Sequence, residues 1–266
     1  MWGAVRRYAS VAAEALKTEM SYSLWFFSFG FASVLEVLVL VFLWRAVYAG
    51  DTGQTLPVAL GEMLTYVSVA RIVHQFTYPT GQLPQAIRSG DISVLFLRPI
   101  DVQLYYLFYH LGAILAEMVR IALPMYIAVS LIVGPLLPHS GLALGQFVLS
   151  LGVSVVVGFL INFMTETLSF WTLNTWGIRA AREAIIELLS GSTIPLFVFP
   201  AWLAKGVACL PFASTVYVPT AIFTGIISES AAWRAILGQL VWAVGLTFVA
   251  RGLWRTATKR IIVQGG

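Results

Sequence analysis

Polar positions are sparse along this chain, and where they fall divides it into elements. At the N-terminus Trp2, Val5, Ala9, Ala12 and Leu16 recur at three- and four-residue steps, with Arg6, Arg7, Glu14 and Lys17 mostly off that stripe. This period predicts an amphipathic helix over 1–20 lying in a membrane interface. Six apolar stretches follow, at 24–48, 58–78, 104–133, 142–173, 184–199 and 232–253. Each is read as a membrane-spanning helix, the form that keeps backbone polar groups paired in lipid. The second is the weakest, because it carries Glu62, Arg71 and His74.

The connections differ in character. Stretches 49–57 and 134–141 are short turns, and the first has no Lys or Arg, as suits an outer loop. The stretch 80–101 (TGQLPQAIRSGDISVLFLRPID) is a polar interruption with two arginines, a Ser-Gly-Asp turn and an Arg-Pro stop. Such a loop between two spans is suited to touching a soluble partner. Stretch 200–230 is too apolar for a free loop, yet Pro200, Pro211 and Pro219 cut it into pieces too short to span. It reads as short re-entrant helices on the outer side, since broken backbone at membrane depth must be buried in protein or line a cavity. The predicted fold is an all-α integral membrane protein, a single domain with six spans.

Composition agrees: 59% of residues are hydrophobic, 11% are charged and the mean hydropathy is +0.86, against about 25% charged in soluble domains. The net charge of +4 is concentrated at Arg6, Arg7 and Lys17, at Arg88 and Arg98, at Arg179 and Arg182, and at Arg251, Arg255, Lys259 and Arg260. That alternation places these segments and both termini in the cytoplasm of a multi-pass cell-membrane protein. It leaves no soluble basic face, so nucleic acid is not an expected partner. Cys209 is alone and reads as a small buried apolar residue. The charges within 6–20 argue against a cleavable signal, so the first span directs insertion.

Ionisable groups inside a bilayer invite functional readings. The intramembrane candidates are Glu36, Arg71, Glu117, Arg120, Asn162, Glu166 and Glu187. Glu117 and Arg120 are three apart on one helical face and read as a self-neutralising pair. Glu36, Asn162 and Glu166 line a cavity or pair across helices with Arg71 or Arg45. Glycines 141, 145, 152, 158, 238 and 245 suggest close helix contacts.

No HExxH, GxSxG, Cys/His metal spacing or Gly-Lys-Ser/Thr occurs. The chain therefore reads as a non-enzyme without a nucleotide or metal site. A gradient-driven secondary transporter predicts paired broken helices, and only one broken region is visible. A non-transporting scaffold is the other alternative.

Three stretches carry a family resemblance. They are Ile87-Arg88-Ser89-Gly90-Asp91-Ile92 with Leu95-Phe96-Leu97-Arg98-Pro99; Gly191 to Leu196 with Phe199-Pro200-Ala201-Trp202-Leu203, Leu210-Pro211-Phe212 and Tyr217-Val218-Pro219; and Lys259 to Gly266. In this order they resemble ABC type-2 transporter permeases. The resemblance implies the membrane subunit of an ATP-driven exporter. Two ABC ATPase subunits would bind its cytoplasmic face, carrying ATP and Mg on themselves, and a second permease, identical or related, would pair with it in the bilayer. It implies ATPase coupling through Leu83, Ile87, Arg88, Gly90, Asp91, Leu95, Phe96, Arg98 and Pro99. Of these, Ile87, Leu95 and Phe96 would enter an apolar groove of the ATPase. It implies an outer gate built from Pro195, Pro200, Trp202, Pro211, Phe212 and Pro219. Leu189–Thr193 (LSGST) is superficially like an ABC ATPase signature, but it lies in an apolar span that no nucleotide reaches. Few fixed charges in the spans suit an apolar or amphiphilic substrate.

Overall fold

The computed structural model describes residues 2–20, 23–50, 57–78, 82–172 and 176–260. The turn at 51–56, the first residues of the polar loop (80–81), position 173 and the tail from 261 lie outside the described residues, as do the side chains of Trp2 and Val5. The described chain is helical, with no strand. The helices are α1 (Trp2–Met20), α2 (Ser23–Ala49), α3 (Leu60–Thr77), α4 (Leu83–Ser89), α5 (Ile92–Phe96), α6 (Val102–Glu117), α7 (Leu123–Ile132), α8 (Gly141–Thr167), α9 (Trp176–Leu189), α10 (Ala201–Ala208), α11 (Tyr217–Phe223) and α12 (Glu229–Thr258).

Among the described residues, four helical stretches are long and apolar enough to cross a membrane: Gly30–Ala49, Val102–Ile132, Gly141–Phe170 and Glu229–Thr258. The second and fifth predicted spans are the difference. Helix α3 is buried by its neighbours, with Met63, Tyr66, Val67, Ala70 and Arg71 all in the interior. Arg71 is thus covered by protein and His74 partly so, while Glu62 is exposed in the first turn. The fifth predicted span, 184–199, is not one helix. Helix α9 starts earlier and stops at Leu189, and 14 residues reach only about 21 Å. Gly191 then turns the chain at φ +80°, and a short 3-10 turn follows at Leu196–Val198.

Helices α6 and α7 form one long element interrupted by a π-helical turn at Met118–Ala122. Pro124 accounts for the interruption, because it lacks an amide for the Arg120 carbonyl and its ring would crowd that oxygen. Helix α2 passes close to the displaced carbonyl, so a Cβ on Gly30 would sit 2.9 Å from it. Local caps set the other starts. Asp101 accepts from the Leu104 amide at 2.9 Å to open α6, and Ser140 accepts from the Ala143 amide at 3.0 Å to open α8.

Helix α8 is the spine, packed along α12 and against α11, α3, α4 and α6. Helices α8 and α12 run in the same direction, joined by Ser140–Glu229, by Ser150–Gln239 at 2.8 Å and by Phe163–Trp254 at 5.4 Å between rings. Helix α2 runs antiparallel to α3, through Tyr48–Val58 at 2.8 Å and Glu36–Arg71. One apolar cluster joins α2, α3, α7 and α11 around Val37, Met63, Val67 and Met125. A second joins α4, α5, α8 and α12 around Leu83, Leu95, Leu160 and Leu246.

Helix α1 docks lengthwise on α6, from Tyr8 stacked on Phe108 at 5.2 Å to Glu19 against Arg120 at 3.4 Å. Its packed face differs from the expected stripe: Ala9 is exposed and Ala15 is fully buried. Side-chain size sets the face here. A Cβ on Gly112 would lie 2.1 Å from the Ala12 carbonyl oxygen, so only glycine lets the two backbones meet. Among the glycines expected to make close contacts, Gly158 does so against Thr77, while 141, 145, 152, 238 and 245 face open space. Cys209 is exposed rather than buried, because it lies just past the end of α10.

Candidate functional site

The polar loop folds as a helix–turn–helix. Pro84 opens α4 in its first turn, and Gly90 ends it in the left-handed region at φ +82°, a conformation that favours glycine. Ser89 donates to Asp91 Oδ2 at 2.6 Å and Ser93 to the Gly90 carbonyl at 2.7 Å, which holds the turn before α5. Arg88 Nε donates to the Pro84 carbonyl at 3.3 Å, and the Pro99 carbonyl accepts from Arg7 at 3.5 Å. Gln82, Gln85, Asp91, Arg98, Tyr105 and Tyr106 line an open cavity of about 600 Å³ beside the loop.

The apolar residues of the loop divide into two sets. Leu83 and Leu95 are buried in the second cluster and Ile87 packs against it. Leu95 and Ile87 are therefore not free to fill a partner's groove; they hold the loop down. Phe96 is half exposed and stacks on Trp254 of α12 at 6.2 Å. Leu97 is 86% exposed and Val94 is 47% exposed. Arg88, Asp91, Arg98 and Pro99 are exposed around them. Burial separates the run 95–97: Leu95 packs into the core and Leu97 faces out, a difference no linear reading of the run shows.

The intramembrane candidates form three groups. Arg71, 3% exposed, donates through Nη1 to both Glu187 oxygens at 2.9 and 3.1 Å and through Nη2 to Glu36. Glu187 also accepts from Ser192 at 3.0 Å and Thr193 at 2.5 Å, and His74 stands 3.6 Å from it. Glu117 faces Arg120 at 3.5 Å, but Glu19 of α1 joins them, so the pair is a triad. Asn162 donates to Glu166 at 3.0 Å and accepts from Arg182 of α9. Neither Arg71 nor Arg45 reaches Asn162 or Glu166; Arg45 instead donates to the Ile132 carbonyl at 2.9 Å. Helix α9 buries only Ile186 and is tied to the bundle by these two arginine contacts.

The broken segment is not confined to one end of the bundle. The Ser214 carbonyl accepts from Ser154 at 2.9 Å and from Gln239 at 2.7 Å, and Thr215 accepts from Tyr78 at 2.9 Å. Ser154 lies about 20 Å along α8 from Ser140, whereas Phe223 at the end of α11 bonds His139 beside that start at 2.9 Å. The Tyr217 amide donates to the Ser190 carbonyl at 2.9 Å, so α11 begins where α9 stops. Of the gate candidates, Pro200 and Trp202 are exposed, Pro195 and Pro219 are buried, and Pro211 and half-buried Phe212 flank the deep turn.

The family model described as ABC-2 family transporter protein matches residues 23–265. The chain belongs to that family. It is a multi-pass membrane protein of the ABC transporter class, a permease by family and a membrane subunit of a kind that generally works with ABC ATPases. No curated protein matches it.

The ABC-2 family protein also contains a polar cluster that sequence reasoning missed. Gln239, fully buried in α12, bonds Ser150, Ser154 and the Ser214 carbonyl, stitching α8, α12 and the deep turn together. The available signal was a glutamine within an apolar span and the four-residue spacing of Ser150 and Ser154 on the facing one.

Proposed function

We propose that this chain is the permease subunit of an ATP-driven exporter that moves an apolar or amphiphilic substrate out of the cytoplasm or inner leaflet. The loop at 80–101 receives the ATPase. The observation that carries this reading is the loop's division of labour: Leu83 and Leu95 anchored in the core, with Val94, Leu97 and Arg98 presented outward. Leu97, 86% exposed next to Arg98, and Val94 are the apolar side chains that such a partner would cover.

In this reading two ATPase subunits, carrying ATP and Mg, sit on the cytoplasmic face, and a second permease, identical or related, completes the pathway. Both termini are cytoplasmic. ATP-driven closure of the ATPases displaces the loop as a lever. The displacement reaches α8 and α12 through the buried leucines and the Phe96–Trp254 stack, and reaches α6 directly along the backbone. Helix α3 and the α9–α11 pair serve as the remaining two spans. The excursion at 191–216 between them is the re-entrant segment, reaching into the bundle as deep as Ser154 and Tyr78. Helix α9, held by ion pairs more than by apolar burial, shifts at modest packing cost, and Glu36 and Glu187 border the pathway.

The test is affinity purification of the tagged chain from native membranes, together with an Asp91→Ala/Arg98→Ala variant and a Leu97→Ser variant. Recovery of a soluble ATPase with the parent chain and its loss from both variants is expected, with membrane insertion unchanged. Reproducible absence of an ATPase, or equal recovery with all three chains, overturns the reading.

A further inference from the structure

The basic end of α12 and the first turn of α6 enclose a cavity of about 180 Å³, lined by Asp101, Val102, Gln103, Arg251, Trp254 and Arg255. That is roughly six water volumes, room for a phosphate group. Two guanidiniums flank it. Arg251 has one distant partner, Asp101 at 3.9 Å, and Arg255 is exposed with no ion-pair or hydrogen-bond partner among the described residues. The Asp101 carboxylate is already engaged, one oxygen on the Leu104 amide and the other toward Arg251. The cavity therefore keeps a net positive charge. The amides of Val102 and Gln103 open a 16-residue helix and have no intrahelical acceptor, so the positive end of the α6 dipole adds to that charge.

A second, independent observation is Gln103 itself. Its side chain is 7% exposed, lines the cavity, and leaves its amide oxygen without a hydrogen-bond partner among the described residues. That oxygen is an acceptor, which no phosphate can satisfy; the NH2 end of the same amide carries the two donors available to an anion in the cavity. Trp254 forms a fixed wall, held by Phe163 at 5.4 Å and Phe170 at 5.6 Å.

The surface above the cavity shows which anion fits. Leu237, Val241, Val244 and Phe248 are between 58 and 72% exposed, and their spacing continues into Arg251 and Arg255. One stripe of α12 thus runs from exposed apolar to basic. Its apolar part, from Leu237 to Phe248, rises about 16 Å, near half of the ~30 Å hydrocarbon core and so one leaflet deep. We propose that the cavity between α6 and α12 is a binding site for the phosphate ester of an anionic phospholipid, with an acyl chain lying along Leu237, Val241, Val244 and Phe248. Tryptophan and arginine at the base of such a stripe lie at headgroup level, and basic pockets between membrane helices suit anionic headgroups. The site does not depend on an ATPase partner.

Native mass spectrometry of the purified full-length chain tests this, with phosphatidylglycerol, phosphatidylcholine and inorganic phosphate titrated separately. The parent chain is expected to retain phosphatidylglycerol over phosphatidylcholine. Arg255→Gln should weaken that retention about fivefold, as removal of one surface cation does, and Gln103→Leu should weaken it with every charge in place. Adducts of inorganic phosphate that are lost in the same two variants would support the anion site with a soluble occupant. Equal preference in the parent and both variants overturns the proposal. So does loss with Arg255→Gln alone, which is diffuse surface attraction without a built site. A double Arg251→Gln/Arg255→Gln chain that turns from dimer to monomer while retaining lipid normally also overturns it, since the face is then a contact between copies.

Discussion

Arg71 of α3 donates to both carboxylate oxygens of Glu187 on α9, at 2.9 and 3.1 Å, across 116 residues of sequence. The same guanidinium reaches Glu36 of α2, so three helices meet on one buried cation. Arg71 is 3% exposed, whereas its two partners are 45 and 38% exposed. Protein therefore encloses the arginine far more than it encloses either carboxylate, and the burial cost falls on the arginine.

That asymmetry orders the variants. Glu36→Gln/Glu187→Gln leaves a buried, uncompensated guanidinium and is expected to lose roughly 3–5 kcal/mol. Arg71→Met removes the enclosed charge and leaves two carboxylates that protein covers far less, so it should be the milder change. Thermal unfolding of the purified proteins in detergent, followed by tryptophan fluorescence, gives the order. The reverse order would show that the carboxylates carry the burial cost.

Leu95 and Leu97 are two residues apart and should behave oppositely. Leu95→Ala opens the second cluster and is expected to cost about 2–5 kcal/mol. Leu97→Ser removes an exposed side chain and should change stability by less than about 0.5 kcal/mol, while lowering association with a co-purified ATPase. Unfolding midpoints paired with pull-down yields from the same preparations check both halves.

Gly112 is the point at which α1 is admitted to α6. A Cβ there would stand 2.1 Å from the Ala12 carbonyl oxygen and 2.7 Å from its carbon, neither of which is a flexible side-chain end. Gly112→Val is expected to displace α1 while leaving α8 and α12 packed. Limited trypsin digestion should then cut after Lys17 several-fold faster than in the parent; an unchanged rate would mean that α1 docks without this approach.

Gln239→Leu takes the only amide from the cluster that joins Ser150, Ser154 and the Ser214 carbonyl. The Ser150 hydroxyl then loses its acceptor and the Ser214 carbonyl one of its two donors, at an expected cost of roughly 1–3 kcal/mol. Because Ser214 lies in the deep turn, hydrogen exchange at 211–216 should rise more than exchange in α12. A uniform rise would place the lost bonds elsewhere.

Much of the fold was legible because lipid imposes a simple code. Long apolar runs at 30–49, 141–170 and 229–258 had to be helices, and Asp101, Ser140 and Gly90 punctuated them as capping and turn chemistry requires. Helix α3 gave a weak signal because its central charge, Arg71, is shielded by neighbouring helices, and hydropathy counts what a residue is, not what covers it. Helix α9 was misplaced because an apolar run through 184–199 hides the break at Gly191, which tertiary bonds to Tyr66 and Tyr217 stabilise.

Sequence alone determined the class of protein, the helical fold, the polar loop with its glycine turn, and the presence of charges in the apolar region. Each follows from local chemistry, since composition, period and φ preference act within a few residues. Only the tertiary structure decided which of those residues meet. It put Glu19 into the Glu117–Arg120 pair, Arg182 on Asn162 and Glu187 on Arg71, and it buried Leu95 while exposing Leu97. Partner choice across a hundred residues depends on how helices cross, and burial depends on everything packed around a side chain. Neither is written in the neighbours along the chain.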